Sequence, residues 1–86
     1  MSKWAKKIAK QSGITLKNKL EETLFMEFLT GDNEIHPTRE GIQEWFKKQP
    51  DDYFQMEKIN RQEILDQLEK ITDERLSEII GAADSI

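Results

Sequence analysis

Apolar residues in this chain recur at three- and four-residue spacing, and turn-forming residues break the recurrence at intervals. Over Lys3–Gln11, Trp4, Ala5, Ile8 and Ala9 fall on one face of a helix, with Lys3, Lys6, Lys7 and Lys10 around the other. Ser12-Gly13 ends that segment, and Gly13 suits the left-handed capping position. The Thr15 hydroxyl predicts the N-cap of a second helix running to about Leu29. Its stripe is Leu16, Leu20 and Leu24, joined by Phe25, Phe28 and Leu29. Thr30-Gly31-Asp32-Asn33 stops it.

Pro37 disfavours helical geometry at His36, so Thr38 predicts the cap of a third helix, on which Ile42, Trp45 and Phe46 share a face. Lys47 and Lys48 fall in its last turn and Pro50 forbids continuation. Asp51-Asp52-Tyr53-Phe54 predicts a short turn of helix. Asn60, with Glu63 three residues on, has the capping-box spacing. Ile64, Leu65, Leu68 and Ile71 form one stripe, and Leu76, Ile79, Ile80 and Ala83 another. On one continuous helix these stripes would lie about 80° apart. The offset predicts a break at Ile71-Thr72-Asp73 with Thr72 as cap; a single bent helix over 60–84 is the alternative. Valine is absent and no clean period-two alternation occurs. The expected fold is all-α, a small bundle of four to five short helices. It forms one domain over 1–86, with residues 1–12 a lysine-rich N-terminal helix or arm. No internal repeat shows in the sequence.

Charge changes the picture of that first segment. Residues 1–20 hold six lysines and no acid, whereas the remainder carries 17 acids against 7 bases. The net charge of −4 therefore conceals two opposed fields, and a basic end on an acidic body suits an anionic partner or electrostatic steering. At 86 residues and 36% hydrophobic content, the core is small. A domain of that size has a stability of about 3–5 kcal/mol and little room for a ligand cavity. With no cysteine, disulfides, thiolate catalysis and cysteine-ligated zinc are excluded. No apolar run is long enough to span a membrane, and no apolar stretch follows the first lysines as in a secretory signal, so the expected location is cytoplasmic.

Candidate chemistry is sparse. His36, the single histidine, stands in a polar loop with no orienting partner or nucleophile in sight. The adjacent acids Glu21-Glu22, Asp51-Asp52 and Asp73-Glu74 read as capping and solvated surface. Asp32-Asn33-Glu34 has calcium-type ligands but runs out after three positions. No phosphate-cradling loop or catalytic triad is present. Near the end, Leu76, Ile79, Gly81 and Ala82 resemble the close of double-glycine leaders that precede bacterial peptide natural products. The resemblance would imply cleavage after Ala82. Arg75 stands where such leaders place an acid, and a helix ending at Gly81 accounts for the same residues, so the chain is not assigned to that family.

Two surfaces remain. Lys3, Trp4, Lys6, Lys7 and Lys10 are candidates for contact with an anionic partner: phosphates with Trp4 stacking on a base, an anionic membrane, or an acidic protein groove. Only Arg39, Arg61 and Arg75 are arginine, and all lie in the acidic part, which discourages sequence-specific DNA reading. Trp45, Tyr53 and Phe54, flanking the Pro50 turn, are candidate protein contacts. The expected function is a small non-enzymatic accessory or regulatory protein that binds another protein, without cofactor, metal or catalytic residues. The alternatives are a nucleic-acid binder using the N-terminal lysines, and a structural subunit of a larger assembly or homodimer.

Overall fold

A computed structural model of the chain describes residues 3–31 and 35–85, with side chains described from Lys6 onward. Among the described residues there are six helices and no strand: α1 (Lys3–Gln11), α2 (Lys19–Thr30), α3 (Arg39–Lys48), α4 (Asp51–Met56), α5 (Arg61–Lys70) and α6 (Asp73–Asp84). The bundle is all-α as expected. The count is higher because the turn after Pro50 develops into the six-residue helix α4.

Local chemistry sets most boundaries. After α1, the Ile14 amide donates to the Ala9 carbonyl at 3.0 Å and the Gly13 amide to Lys10 at 3.1 Å. Gly13 has φ +83°, and Ile14 and Ala9 are both buried, so this is a Schellman cap with its hydrophobic contact. Thr38, Asn60 and Thr72 each turn a side-chain oxygen onto the amide three residues on, as their sequence positions predict. The break between α5 and α6 is therefore real, and a single bent helix over 60–84 is excluded. Gly81 lies inside α6 rather than ending it, and Leu76 and Ile79 belong to the core.

The start of α2 differs from expectation. Residues 14–17 are not helical, Thr15 caps nothing, and the cap is Asn18, whose Oδ1 accepts from the Glu21 amide at 2.9 Å. The Glu21 carboxylate reaches back to accept from the Lys17 amide at 2.8 Å, a capping box displaced by one residue. Arg75 from α6 donates to the Thr15 carbonyl, so the segment before the cap is tied down by the far end of the chain.

α2 is the central element. It packs on α1, α5 and α6, while α3 packs on α5. Leu20, Leu24 and Phe25 of α2 meet Ile42 and Phe46 of α3, Phe54 of α4, Ile64 and Leu68 of α5, and Leu76, Ile79, Ile80 and Ala83 of α6 in one buried cluster. Leu16, Phe28 and Leu29, expected on the same stripe, are only partly buried against it. Gly41 lets the chain fold back over the first turn of α3, because a Cβ there would lie 2.5 Å from the His36 Cβ and 2.9 Å from its carbonyl oxygen.

The end of α4 carries local strain. Lys58 has φ +57°, and the Ile59 amide donates to Phe54 at 3.0 Å across it, a Schellman cap built on a lysine. The left-handed conformation costs a non-glycine residue about 1–2 kcal/mol, partly offset by the greater unfolded freedom of glycine. Lys58→Gly should therefore stabilise the fold by about 0.5–1 kcal/mol in urea melts; a loss of stability would show that the lysine side chain contributes more than its backbone costs.

Candidate functional site

The Pro50 turn brings α3 and α4 together so that their aromatic rings form one cluster. Trp45 meets Phe46 at 5.2 Å and Tyr53 at 5.3 Å between ring centroids, and Tyr53 meets Phe54 at 5.2 Å, all edge to face. Phe54 is 5% exposed and stacks under the Arg61 guanidinium at 4.7 Å. Of the three aromatic contact candidates, Trp45 and Tyr53 therefore reach the surface as half-buried residues, and Phe54 is core. The Tyr53 hydroxyl donates to Glu27 Oε1 of α2 at 3.0 Å. Burial, and then the neighbouring Glu27 charge, push that hydroxyl well above its ordinary pKa, so Tyr53 serves as a donor and not as an acid.

Beside Trp45 lies an open groove of about 460 Å³ lined by His36, Thr38, Glu40, Gly41, Glu44, Trp45 and Lys48. His36 is exposed there, with charges of both signs around the ring. The groove exists because Gly41 admits the His36 turn close to α3, and because the Trp45–Tyr53 contact holds the indole at its edge.

The lysine candidates form a different surface. The Lys3 and Trp4 side chains lie outside the described residues, as do Asp32, Asn33 and Glu34. α1 is no free arm. It packs on α2, and Lys6 Nζ sits 2.7 Å from Glu22 Oε1, a carboxylate it shares with Lys19 at 3.9 Å. Lys7 and Lys10 are exposed. Lys6 and Lys10 line a second groove of about 340 Å³ with Ile14, Thr15 and Leu16, which shares no residue with the groove at Trp45. The lysines and the aromatic turn thus line separate grooves.

Two groups of residues carry more of the structure than the sequence disclosed. Glu21 and Glu22, expected on solvated surface, are 4% and 6% exposed, and Glu27 is 8% exposed. The three arginines each hold a helix junction. Arg75 donates to Glu21 through Nε at 3.1 Å and Nη2 at 2.7 Å, and also to the Thr15 carbonyl and Glu78. Arg39 donates to the Leu68 carbonyl, to Ile71 at 2.6 Å and to Asp73 at 2.7 Å, closing the α5–α6 junction. Arg61 donates to the Gln49 carbonyl and pairs with Asp51 at 3.2 Å, closing the α3–α4 junction. The scarcity of arginine was the available signal, since planar multi-donor groups are suited to carbonyl clusters that lysine cannot bridge in the same way.

Among the described residues, no three metal-ligating side chains converge to hold an ion, and no helix is long and apolar enough to cross a membrane. No protein family, curated protein or solved structure matches the chain.

Burial alone would raise the Glu21 carboxyl, but the hydrogen bonds and charge of Arg75, with the Lys17 amide, outweigh it and hold the group below its ordinary value of 4.5. A carboxyl with a depressed folded pKa contributes stability that is fully present above about 4.5 and is lost as pH falls through the lower folded value. Glu21→Gln should flatten that acid limb of the stability–pH curve. At neutral pH it should cost about 1–3 kcal/mol, because the part-buried Arg75 guanidinium loses its charged Glu21 partner but keeps Glu78 and the Thr15 carbonyl. Equal acid sensitivity in wild type and variant would place the titrating group elsewhere. A second expectation follows from Tyr53, the single tyrosine. Phenolate absorbance should rise only as the chain unfolds in alkali; ionisation at the ordinary tyrosine pKa in folded protein would show that the Glu27 contact does not form.

Proposed function

We propose that this chain is a non-enzymatic protein that acts by binding another protein over the groove beside Trp45. The observation that carries the reading is the placement of Trp45: half-buried, fixed edge-on by Tyr53, and bordering an open groove flanked by Glu40, Glu44, His36 and Lys48. Protein interfaces draw most of their energy from a few pre-positioned aromatic anchors, while charges at the rim set association rate and partner choice. Acids at the rim also oppose a phosphate backbone, which favours a protein partner here. The lysine surface of α1 supports the nucleic-acid alternative less, because Glu22 already partners Lys6 and Lys19, leaving Lys7 and Lys10 among the described side chains of α1 to carry it.

The test is a partner recovered from the native source and then measured against purified variants. Trp45→Ala should weaken binding by about 2 kcal/mol or more, about thirtyfold in Kd. Glu44→Lys and Lys48→Glu should change mainly the association rate. Circular dichroism melts separate lost binding from lost fold. Retention of full affinity in all three variants would end this reading, and loss confined to Lys7→Glu with Lys10→Glu would transfer it to the lysine surface.

A further inference from the structure

Residues 38–59 and 60–81, laid over each other at an offset of 22 positions, coincide at Arg39/Arg61, Ile42/Ile64, Lys48/Lys70 and Asp51/Asp73. These identities are few, but the structure repeats far more than the letters. Each segment begins with a side-chain N-cap, Thr38 or Asn60, followed by a 10-residue helix that starts at arginine. Each of these helices stops at an extended residue of nearly the same geometry: Gln49 at φ −71°, ψ 142°, and Ile71 at φ −68°, ψ 140°. The next residues match as well, Pro50 at φ −70°, ψ 161° and Thr72 at φ −74°, ψ 156°, and a helix opening with aspartate follows each. The core positions coincide as Ile42/Ile64, Phe46/Leu68 and Phe54/Leu76, all buried.

The contacts between the segments are reciprocal. Arg39 reaches the Ile71 carbonyl and Asp73, while Arg61 reaches the equivalent pair in the other segment, the Gln49 carbonyl and Asp51. Each arginine opens one helix and grips the end of the other, so α3 and α5 lie side by side with start against end at both extremities. The residues two beyond those aspartates, Tyr53 and Arg75, are also equivalent, and each seizes a buried glutamate of α2, Glu27 and Glu21 respectively.

We infer that residues 38–56 and 60–78 are one helix–turn–helix device built twice, with the second helix prolonged to Asp84 in the later copy, and that its two arginine latches open together. The geometry gives the reason. Sliding α3 along α5 displaces both start-to-end contacts at once, so that relative motion of the two helices strains both latches together. A latch that merely pinned its own turn would lack this property.

Native-state hydrogen exchange on the intact chain reads the difference, because opening of a cooperative unit exposes its amides as a group. The reporters are hydrogen-bonded amides at the two junctions: Gln49 and Tyr53 at one, Ile71 and Leu76 at the other. The Glu22 amide, bonded to the Asn18 carbonyl, is the reference in α2. Arg39→Lys should accelerate all four junction amides by a similar factor, about tenfold or more, and Arg61→Lys should do the same, with Glu22 changing much less. Acceleration confined to the junction that the substituted arginine touches would overturn the coupling. Equal acceleration of Glu22 would overturn it too, by showing only a general loss of stability. If either lysine variant fails to fold, Asp73→Asn and Asp51→Asn remove one latch partner each at positions whose side chains are 86% and 85% exposed, with the same readouts deciding.

Discussion

The grip of arginine on backbone carbonyls at helix ends is the interaction on which this fold depends. Six helices among the described residues mean many helix termini, and each C-terminus leaves carbonyls without intrahelical partners. Loops long enough to bury those groups would dilute an already small core. Instead, Arg39 and Arg61 supply donors from elsewhere in the chain to Leu68 and Ile71 and to Gln49, and Arg75 does the same for the non-helical Thr15 ahead of α2. Each of these arginines also pairs with a carboxylate, exposed in Asp73 and Asp51 and buried in Glu21.

That solution places charge inside the molecule. α2 buries Glu21, Glu22 and Glu27 alongside Leu20, Leu24 and Phe25, an unusual composition for a central helix. Removing a carboxylate from water is costly, and pairing compensates only with good geometry. Here Arg75 addresses both oxygens of Glu21, Lys6 and Lys19 flank Glu22, and Tyr53 donates to Glu27. These polar contacts tie α2 to α1, α4 and α6 at points additional to the apolar packing of Leu20, Leu24 and Phe25. The opposed charges of the two ends of the sequence are thus partly an internal matter, since lysines of the first segment and acids of α2 meet in the folded chain.

The helices were largely legible because their signals are local. Gly13, Thr38, Asn60 and Thr72 act within a few residues, and the phase slip between the stripes of 64–71 and 76–83 located the last junction. The start of α2 was misread although its signal is local: Asn is a better cap than Thr, and Asn18 has Glu21 three residues on, the spacing that located Asn60. The burial of Glu21 and Glu22 was hidden because their partners are remote in the chain, Arg75 for Glu21 and Lys6 for Glu22. At the candidate site the aromatic cluster was visible in the spacing around Pro50, but adjacent letters did not say that Phe54 turns inward while Tyr53 stays at the surface. The repeat is faint in the sequence because it lies mostly in geometry: four identities aside, positions such as Gln49 and Ile71 adopt the same backbone with unrelated side chains.

That last pairing has a consequence for how such a chain changes over generations. A guanidinium on a carbonyl reads the main chain and is indifferent to what the gripped residue carries. Substitution at Leu68, Ile71, Gln49 or Thr15 therefore leaves the acceptor in place, provided the backbone keeps its path, while substitution of an arginine removes the donor outright. The contact itself thus constrains the donor and not the acceptor's side chain, although Leu68 and Ile71 answer separately to the core. Two halves that began alike would in this way lose most of their shared letters and keep their shape, and descendants of this chain would be recognised by the spacing of three arginines sooner than by overall similarity.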